Sequence, residues 1–173
     1  IARAVARQLG IADSRIICYG SSSGGFAAIS VASRMPHGRF IAYNPQTNLL
    51  RYYKGHVQDL SQVFAPGKSA EESARNFPQR WSAIRALRDA RDKGFDIRGV
   101  IAQNTADAYH HDGHFVPFCE AFELPLTGGA SPDGRLYSAI FDDPKGHGPE
   151  SPDVARRIVE TFVPKILAAS ATA

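Results

Sequence analysis

Apolar positions recur at helical spacing from the start of the chain. Ala2, Val5, Ala6 and Leu9 form one stripe, and Gly10 follows where a helix closes on a left-handed residue. The loop I-A-D-S leads into R-I-I-C-Y-G (15–20), a short apolar run with no polar alternation, which predicts a strand buried on both faces. G-F-A-A-I-S-V-A-S-R (25–34) predicts a second helix, rich enough in Ala to lie close against a sheet, and R-F-I-A-Y-N (39–44) a second strand. The order helix, strand, glycine turn, helix, strand is the alternation of an α/β fold with a parallel sheet and helices on both faces.

Between residues 45 and 96 the pattern changes to short amphipathic segments separated by A-P-G-K and N-F-P. The strongest is R-W-S-A-I-R-A-L-R-D-A, where Trp81, Ile84, Leu87 and Arg88 share one face, so this stretch reads as a helical insertion. The sheet resumes at I-R-G-V-I-A-Q-N and at R-L-Y-S-A-I-F-D-D, for four parallel strands in all. A closing helix opens at S-P-D-V, with Ser151 as N-cap and Pro152 at the first helical position. Val154, Ile158, Phe162 and Ile166 continue it at four-residue spacing.

A chain of 173 residues, 43% hydrophobic and 10% aromatic, suits one globular domain. It begins with Ile1 rather than Met and enters at once what reads as the middle of a domain, so an upstream part of the same protein is the expected partner of this piece. Twenty Lys and Arg stand against 17 Asp and Glu and are scattered along the chain, which implies no nucleic-acid partner. Cys18 and Cys119 are too few and too far apart for a disulfide framework or a zinc knuckle, and read as buried thiols of a reducing compartment. No apolar run approaches a membrane span, and Arg3, Arg7, Asp13 and Arg15 interrupt any signal core, so a soluble, cytoplasmic protein is expected.

Candidate chemistry begins at Y-G-S-S-S-G-G-F (19–26), which joins the first strand to the second helix with no residues to spare. Gly20, Ser22 and Gly24 fit G-x-S-x-G, a strained strand-to-helix turn that lifts its central serine above a sheet. The flanking glycines are expected to be needed because a Cβ at either would crowd the turn. Ser22 is then the candidate nucleophile, and the Ser23 N–H, at the positive end of the following helix, a candidate oxyanion donor. A phosphate-binding turn fits less well: the P-loop Lys is absent, as is the G-x-G-x-x-G spacing of a dinucleotide site.

A serine nucleophile needs a base, and the base an orienting carboxylate. The strand G-V-I-A-Q runs into N-T-A-D, putting Asp107 just past its carboxyl end, with Asp112, Asp142 and Asp143 as competitors. The strand L-Y-S-A-I-F-D-D runs into P-K-G-H-G, putting His147 in a glycine-flanked loop before the closing helix.

With these three segments the chain resembles the α/β-hydrolase superfamily, over the elbow Y-G-S-S-S-G-G-F, the acid loop Q-N-T-A-D and the histidine loop K-G-H-G. The resemblance covers the C-terminal half of that fold; the strands before the elbow and the loop giving a second oxyanion N–H have no counterpart in the sequence. N-P-Q-T-N and D-A-Y-H-H-D-G-H-F-V-P-F also look like hydrolase-like proteins of bacterial surface-polysaccharide biosynthesis. The resemblance implies a serine esterase or acyltransferase that uses Ser22, Asp107 and His147 on a small-molecule or glycan ester, without cofactor or metal. It also implies that residues 45–96 form a lid: Tyr52, Tyr53, Phe64, Phe77 and Trp81 would offer stacking surface, and Arg51, Lys54 and Arg80 would meet anionic groups, while Trp81, on the buried stripe of a helix, reads rather as core.

Two other readings remain open. His110, His111 and His114, with Asp112, form the densest group of metal-ligand types, and His110 and His114 would share a helix face at i, i+4, although Gly113 weakens such a helix and no H-E-x-x-H glutamate is present. Against a metal-dependent hydrolase stands the reading of His110 and His111 as substrate-binding residues at the rim beside Asp107, or as caps of the following helix. The second is a non-catalytic hydrolase-like scaffold that binds glycan or protein.

Overall fold

The computed structural model describes residues 2–168; Ile1, on which the expected upstream part turns, and residues 169–173 lie outside the described residues, as does the side chain of Ala2. Its five strands are β1 (Ile17–Ser21), β2 (Arg39–Tyr43), β3 (Arg98–Asn104), β4 (Gly129–Ala130) and β5 (Leu136–Phe141), in the spatial order β1-β2-β3-β5-β4. The four longer strands pair in parallel, and the two-residue β4 lies antiparallel on β5, an addition to the four strands legible in the sequence. The fold is therefore α/β with a mostly parallel sheet. Among the described residues no helix is long and apolar enough to cross a membrane.

Burial explains the strand patterns. Every residue of β2 and β3 is buried, because successive side chains feed two different cores: Phe40, Ala42 and Ile101 one, Ile41, Tyr43, Val100 and Ala102 the other. The expectation of burial on both faces fails for β1, where Tyr19 is 50% exposed, because among the described residues β1 is an edge strand with a neighbour on one side only.

On the first face pack α2 (Ser23–Ala32) and the helices of the 45–96 segment, α3 (Lys54–Phe64), α4 (Ala70–Asn76), α5 (Pro78–Trp81) and α6 (Ala83–Asp92). Before them α1 (Ala2–Gln8) ends at Gly10, which has φ of 66° as its position predicts. The R-W-S-A-I-R-A-L run is not one helix: Ser82 leaves the helical region at φ −130° and ψ 117°, bridges Asn48, and caps α6 by accepting a bond from the Arg85 N–H. Arg88 is exposed, its guanidinium donating to Ala121 O, while Ala83, Leu87 and Ala90 are buried. Trp81 is core, 1% exposed, its indole N–H donating to Ser73 Oγ. After β3 the chain winds through α7 (Ala108–His110), a π-turn over His111–Phe115, and α8 (Val116–Ala121). The second face is covered by α9 (Pro152–Leu167), capped by Ser151 Oγ on the Val154 N–H, with Val154, Ile158 and Ile166 buried and Phe162 partly so. Cys119 is buried and Cys18 half-buried, both free.

At the amino ends of the strands, opposite the serine turn, Arg39 and Arg98 sit side by side in the β2–β3 register and share Asp96. Arg39 Nη2 lies 2.9 Å and Arg98 Nε 3.1 Å from its carboxylate. Burial opposes ionisation of Asp96, but the two guanidiniums outweigh it and hold its carboxyl below the usual range. Removing the carboxylate takes the shared counter-charge from two adjacent buried guanidiniums. Asp96→Ala should therefore lower unfolding free energy by about 3 kcal/mol in urea titration, whereas a surface change such as Asp142→Ala should stay within about 0.5 kcal/mol.

Candidate functional site

Ser22 is lifted by backbone geometry. It separates β1 from α2 at φ 55° and ψ −122°, a region that costs a non-glycine residue about 1–3 kcal/mol. Its main chain is held on three sides: its N–H donates to Tyr43 O, and its carbonyl accepts from Gly25 N–H and Gln46 N–H. The turn needs a glycine at 20, where a Cβ would fall 2.2 Å from Gly24 O, but not at 24, where a Cβ would meet nothing. The second indispensable glycine is Gly25, whose Cβ would sit 2.7 Å from Pro45 Cβ. The expectation for Gly24 is thus corrected: G-x-S-x-G is matched, and the steric demand lies on Gly20 and Gly25.

Two loops at the carboxyl ends of β3 and β5 bring Asp107 and His147 to this serine. His147 Nε2 lies 3.0 Å from Ser22 Oγ, and His147 Nδ1 lies 2.6 Å from Asp107 Oδ2. The competing carboxylates are engaged elsewhere: Asp112 pairs with His111, Asp143 accepts from Lys145 N–H, and Asp142 meets Thr105 Oγ1. Asp107 is 5% exposed. Burial raises its pKa, but hydrogen bonds from His147 and from the His110 N–H and ring lower it further, and the carboxyl stays below its ordinary range. It is an anion at neutral pH.

The residue that assembles the two loops is Asn104, the last of β3, which the sequence reading passed over. Its Nδ2 donates to Asp143 O and Gly146 O, both at 2.7 Å, and its Oδ1 accepts from Ala106 N–H and Asp143 N–H. An Asn directly after an apolar strand and two residues before a loop N–H is an Asx-turn signal, so N-T-A-D carried the clue. A further tie joins the histidine loop to β1, the Tyr19 hydroxyl donating to Glu150. Burial and that carboxylate push the Tyr19 pKa up.

The histidine cluster is organised differently from either expectation. His110 is no rim residue: it is 4% exposed, its ring stacks on His147 at 3.8 Å and 7°, and its Nδ1 lies 3.2 Å from Asp107 Oδ1. Burial lowers the pKa of His110, Asp107 opposing, so a neutral ring lies against His147. The π-turn carries His114 inward to accept the Thr47 N–H on Nδ1, while His111, half-buried, turns to Asp112. His110, His111 and His114 therefore do not converge on one point. Asp107, His110 and His147 do offer ligand atoms within 4.8 Å of one another, but the two rings lie parallel and both aim Nδ1 at the carboxylate, so their in-plane lone pairs do not meet at a common ion.

Beside the serine turn opens a cleft of about 860 Å³ that reaches Ser23 and Gln46 and includes Tyr52 and His56. Ser23 is the first residue of α2, so its N–H lies outside the helix ladder. Tyr53 is 66% exposed, packs on Tyr52 and His56, and is not part of the cleft wall. Of the 45–96 segment, the part through α3 and Arg80 of α5 line the cleft; Arg51 reaches Gly113 O, and α4 and α6 are layer helices on the sheet.

No protein-family model matches the chain, and no curated protein matches it. Among solved structures, a chain of the Glycosylation Associate Protein (Gap123) complex from Streptococcus agalactiae is similar in fold, with a TM-score of 0.59 and 14% identity, over 93% of this chain and 32% of that one. The likeness is one of fold, and this chain spans about a third of the length of the other.

Two outcomes follow from this geometry. Gly20→Ala should unfold or displace the turn and lower the melting temperature sharply, while Gly24→Ala, on an open helical position, should leave it unchanged or raise it slightly. For pH, burial first and then His110 and Arg51 push His114 down to about 4 from an ordinary 6.5. The unfolded chain then binds the proton that the folded chain refuses, so stability falls as pH drops from about 6.5 to about 4, by about 3 kcal/mol for this one group. His114→Asn should flatten the urea-midpoint profile over that window by a comparable amount.

Proposed function

We propose that the chain carries the acyl-transfer half of a serine esterase or acyltransferase of α/β-hydrolase type. The observation that carries this is the unbroken hydrogen-bonded line from Ser22 Oγ through His147 to the buried Asp107 carboxylate, built on a strained strand-to-helix turn. His147 Nε2 takes the Ser22 proton as Oγ attacks an ester carbonyl. The oxyanion forms beside the Ser23 N–H, and the alcohol leaves with the proton returned by His147. Water, or a sugar hydroxyl, then releases the acyl group from Ser22 by the same proton path in reverse. Asp107 holds the Nδ1–H tautomer and balances the imidazolium, and the neutral His110 stacked on that ring adds no opposing charge.

The fold likeness to a chain of a glycosylation-associated complex, though one of fold alone, suggests a glycan as ester or acceptor. It also favours a second reading: the similar chain is part of a complex, and a non-catalytic scaffold binding glycan or protein would fit that setting. A reducing cytoplasm would suit its two free cysteines in either case.

A fluorophosphonate probe separates the readings. It should label the full chain at Ser22, as read by peptide mass, and fail with Ser22→Ala. Asp107→Asn should slow labelling by about 10²-fold or more through the wrong tautomer, and a chelator should have no effect. Absence of labelling in the wild type, with retained glycan binding, would establish the scaffold instead.

A further inference from the structure

One wall of the cleft is a single face of α2 and the turn that follows it. Ser23, Phe26, Ala27, Ser30 and Val31 line it from the helix and Arg34 from the turn, at three- and four-residue spacing. At 1.5 Å per residue the helical part of this face runs about 12 Å from the residue after Ser22, with Arg34 beyond it. The opposite wall comes from α3, with Leu60, Val63 and Phe64. Val31 and Val63 are 40% and 74% exposed, so the groove presents apolar surface to solvent.

Its two ends differ in chemistry. Ser23 and Gln46 stand at the nucleophile end. At the far end Arg34 and Arg80 also line an adjoining cavity, which fixes them as neighbours. Arg80 is committed, donating to Phe64 O and lying over the Phe77 ring at 4.7 Å. The Arg34 side chain is exposed and has no hydrogen-bond or ion-pair partner among the described residues. Asp59 on α3 is the single carboxylate of the lining, against two guanidiniums.

We propose that this groove binds the acyl part of the substrate, an elongated apolar chain with an anionic group at its far end; the assignment rests on the reading of Ser22 as nucleophile. The volume of about 860 Å³ is in the range of small-molecule sites. The groove begins at the residue that follows the nucleophile, and its middle walls are mainly hydrocarbon. An extended polypeptide would find few partners there for its backbone N–H and C=O groups, whereas an acyl chain has none to satisfy. The free Arg34 guanidinium supplies the charge that an anionic end would meet.

The test separates binding from chemistry. In Ser22→Ala, a dansyl-labelled undecanoic acid should bind with a rise in fluorescence. Adding Ala27→Trp, at an exposed helix position in the middle of the groove, should weaken that binding about tenfold or more. Adding Arg34→Ala instead should weaken it about threefold at low salt and less at high salt. In the wild type, kcat/KM for 4-nitrophenyl decanoate should exceed that for the acetate about tenfold or more, and the ratio should fall toward one in Ala27→Trp. No binding, binding indifferent to Ala27→Trp, or a flat chain-length profile with turnover intact would overturn the groove assignment and leave the serine reading standing. Binding with no turnover of either ester would sustain the groove as a site for an apolar chain with an anionic end, and would sink the serine reading and the acyl role that rests on it. If Ala27→Trp instead dissolves a dimer seen by light scattering, the groove is an interface between copies and the assignment is wrong.

Discussion

The candidate site depends on the hydrogen bonds of one amide side chain. Asn104 ends the central strand β3, is 1% exposed, and satisfies both its oxygen and its nitrogen with the backbone of two loops. One loop carries Asp107 three residues on; the other carries His147 next to Gly146, whose carbonyl Asn104 holds. Its own N–H in turn donates to Asn44 Oδ1 at the end of β2. Three strand ends are thus fixed relative to one another by groups that titrate at no ordinary pH, so the spacing of the titrating residues does not depend on their own charge.

Around this frame the electrostatics are divided by burial. Asp107 is buried and kept ionised by donors; His110 and His114 are buried and kept neutral by desolvation. Only His147 among these residues is substantially open to solvent, with its ring 38% exposed. The imidazole open to solvent is therefore the one in line with Ser22, and beneath it at neutral pH Asp107 is ionised and His110 and His114 are neutral. Gln46 Nε2, Gln103 Oε1, His110 Nε2 and His114 Nε2 are buried without a protein partner among the described residues, although the other polar atoms of Gln103, His110 and His114 are engaged.

Much of this was legible in the sequence, for identifiable reasons. The strands β2 and β3 could be read because their apolar runs are buried on two faces, β5 because its run is mostly buried, and α9 because its four-residue stripe, Ser151 cap and Pro152 all agree. The segments holding Ser22, Asp107 and His147 could be read because each follows a strand directly. What could not be read depends on contacts distant in sequence. The break at Ser82 is imposed by Asn48, the burial of His110 by His147, and the steric need at Gly25 by Pro45. The two-residue β4 lies below the length at which alternation gives a signal. The lid expectation was half legible: the direction of departure from β2 is local, but the return of α6 to the sheet is a matter of packing.

The edge position of β1 has a kinetic meaning. Ser22 is carried by a strand paired on one side only, and its histidine loop is tied to that same strand through Tyr19 and Glu150. Local opening of β1 from β2 would thus release the serine and its histidine loop together while β2, β3 and β5 remain paired. Such sub-global openings require less free energy than global unfolding. The candidate site would therefore rest on readily exchanged backbone, and in rising denaturant it would dissolve as a unit before the sheet does.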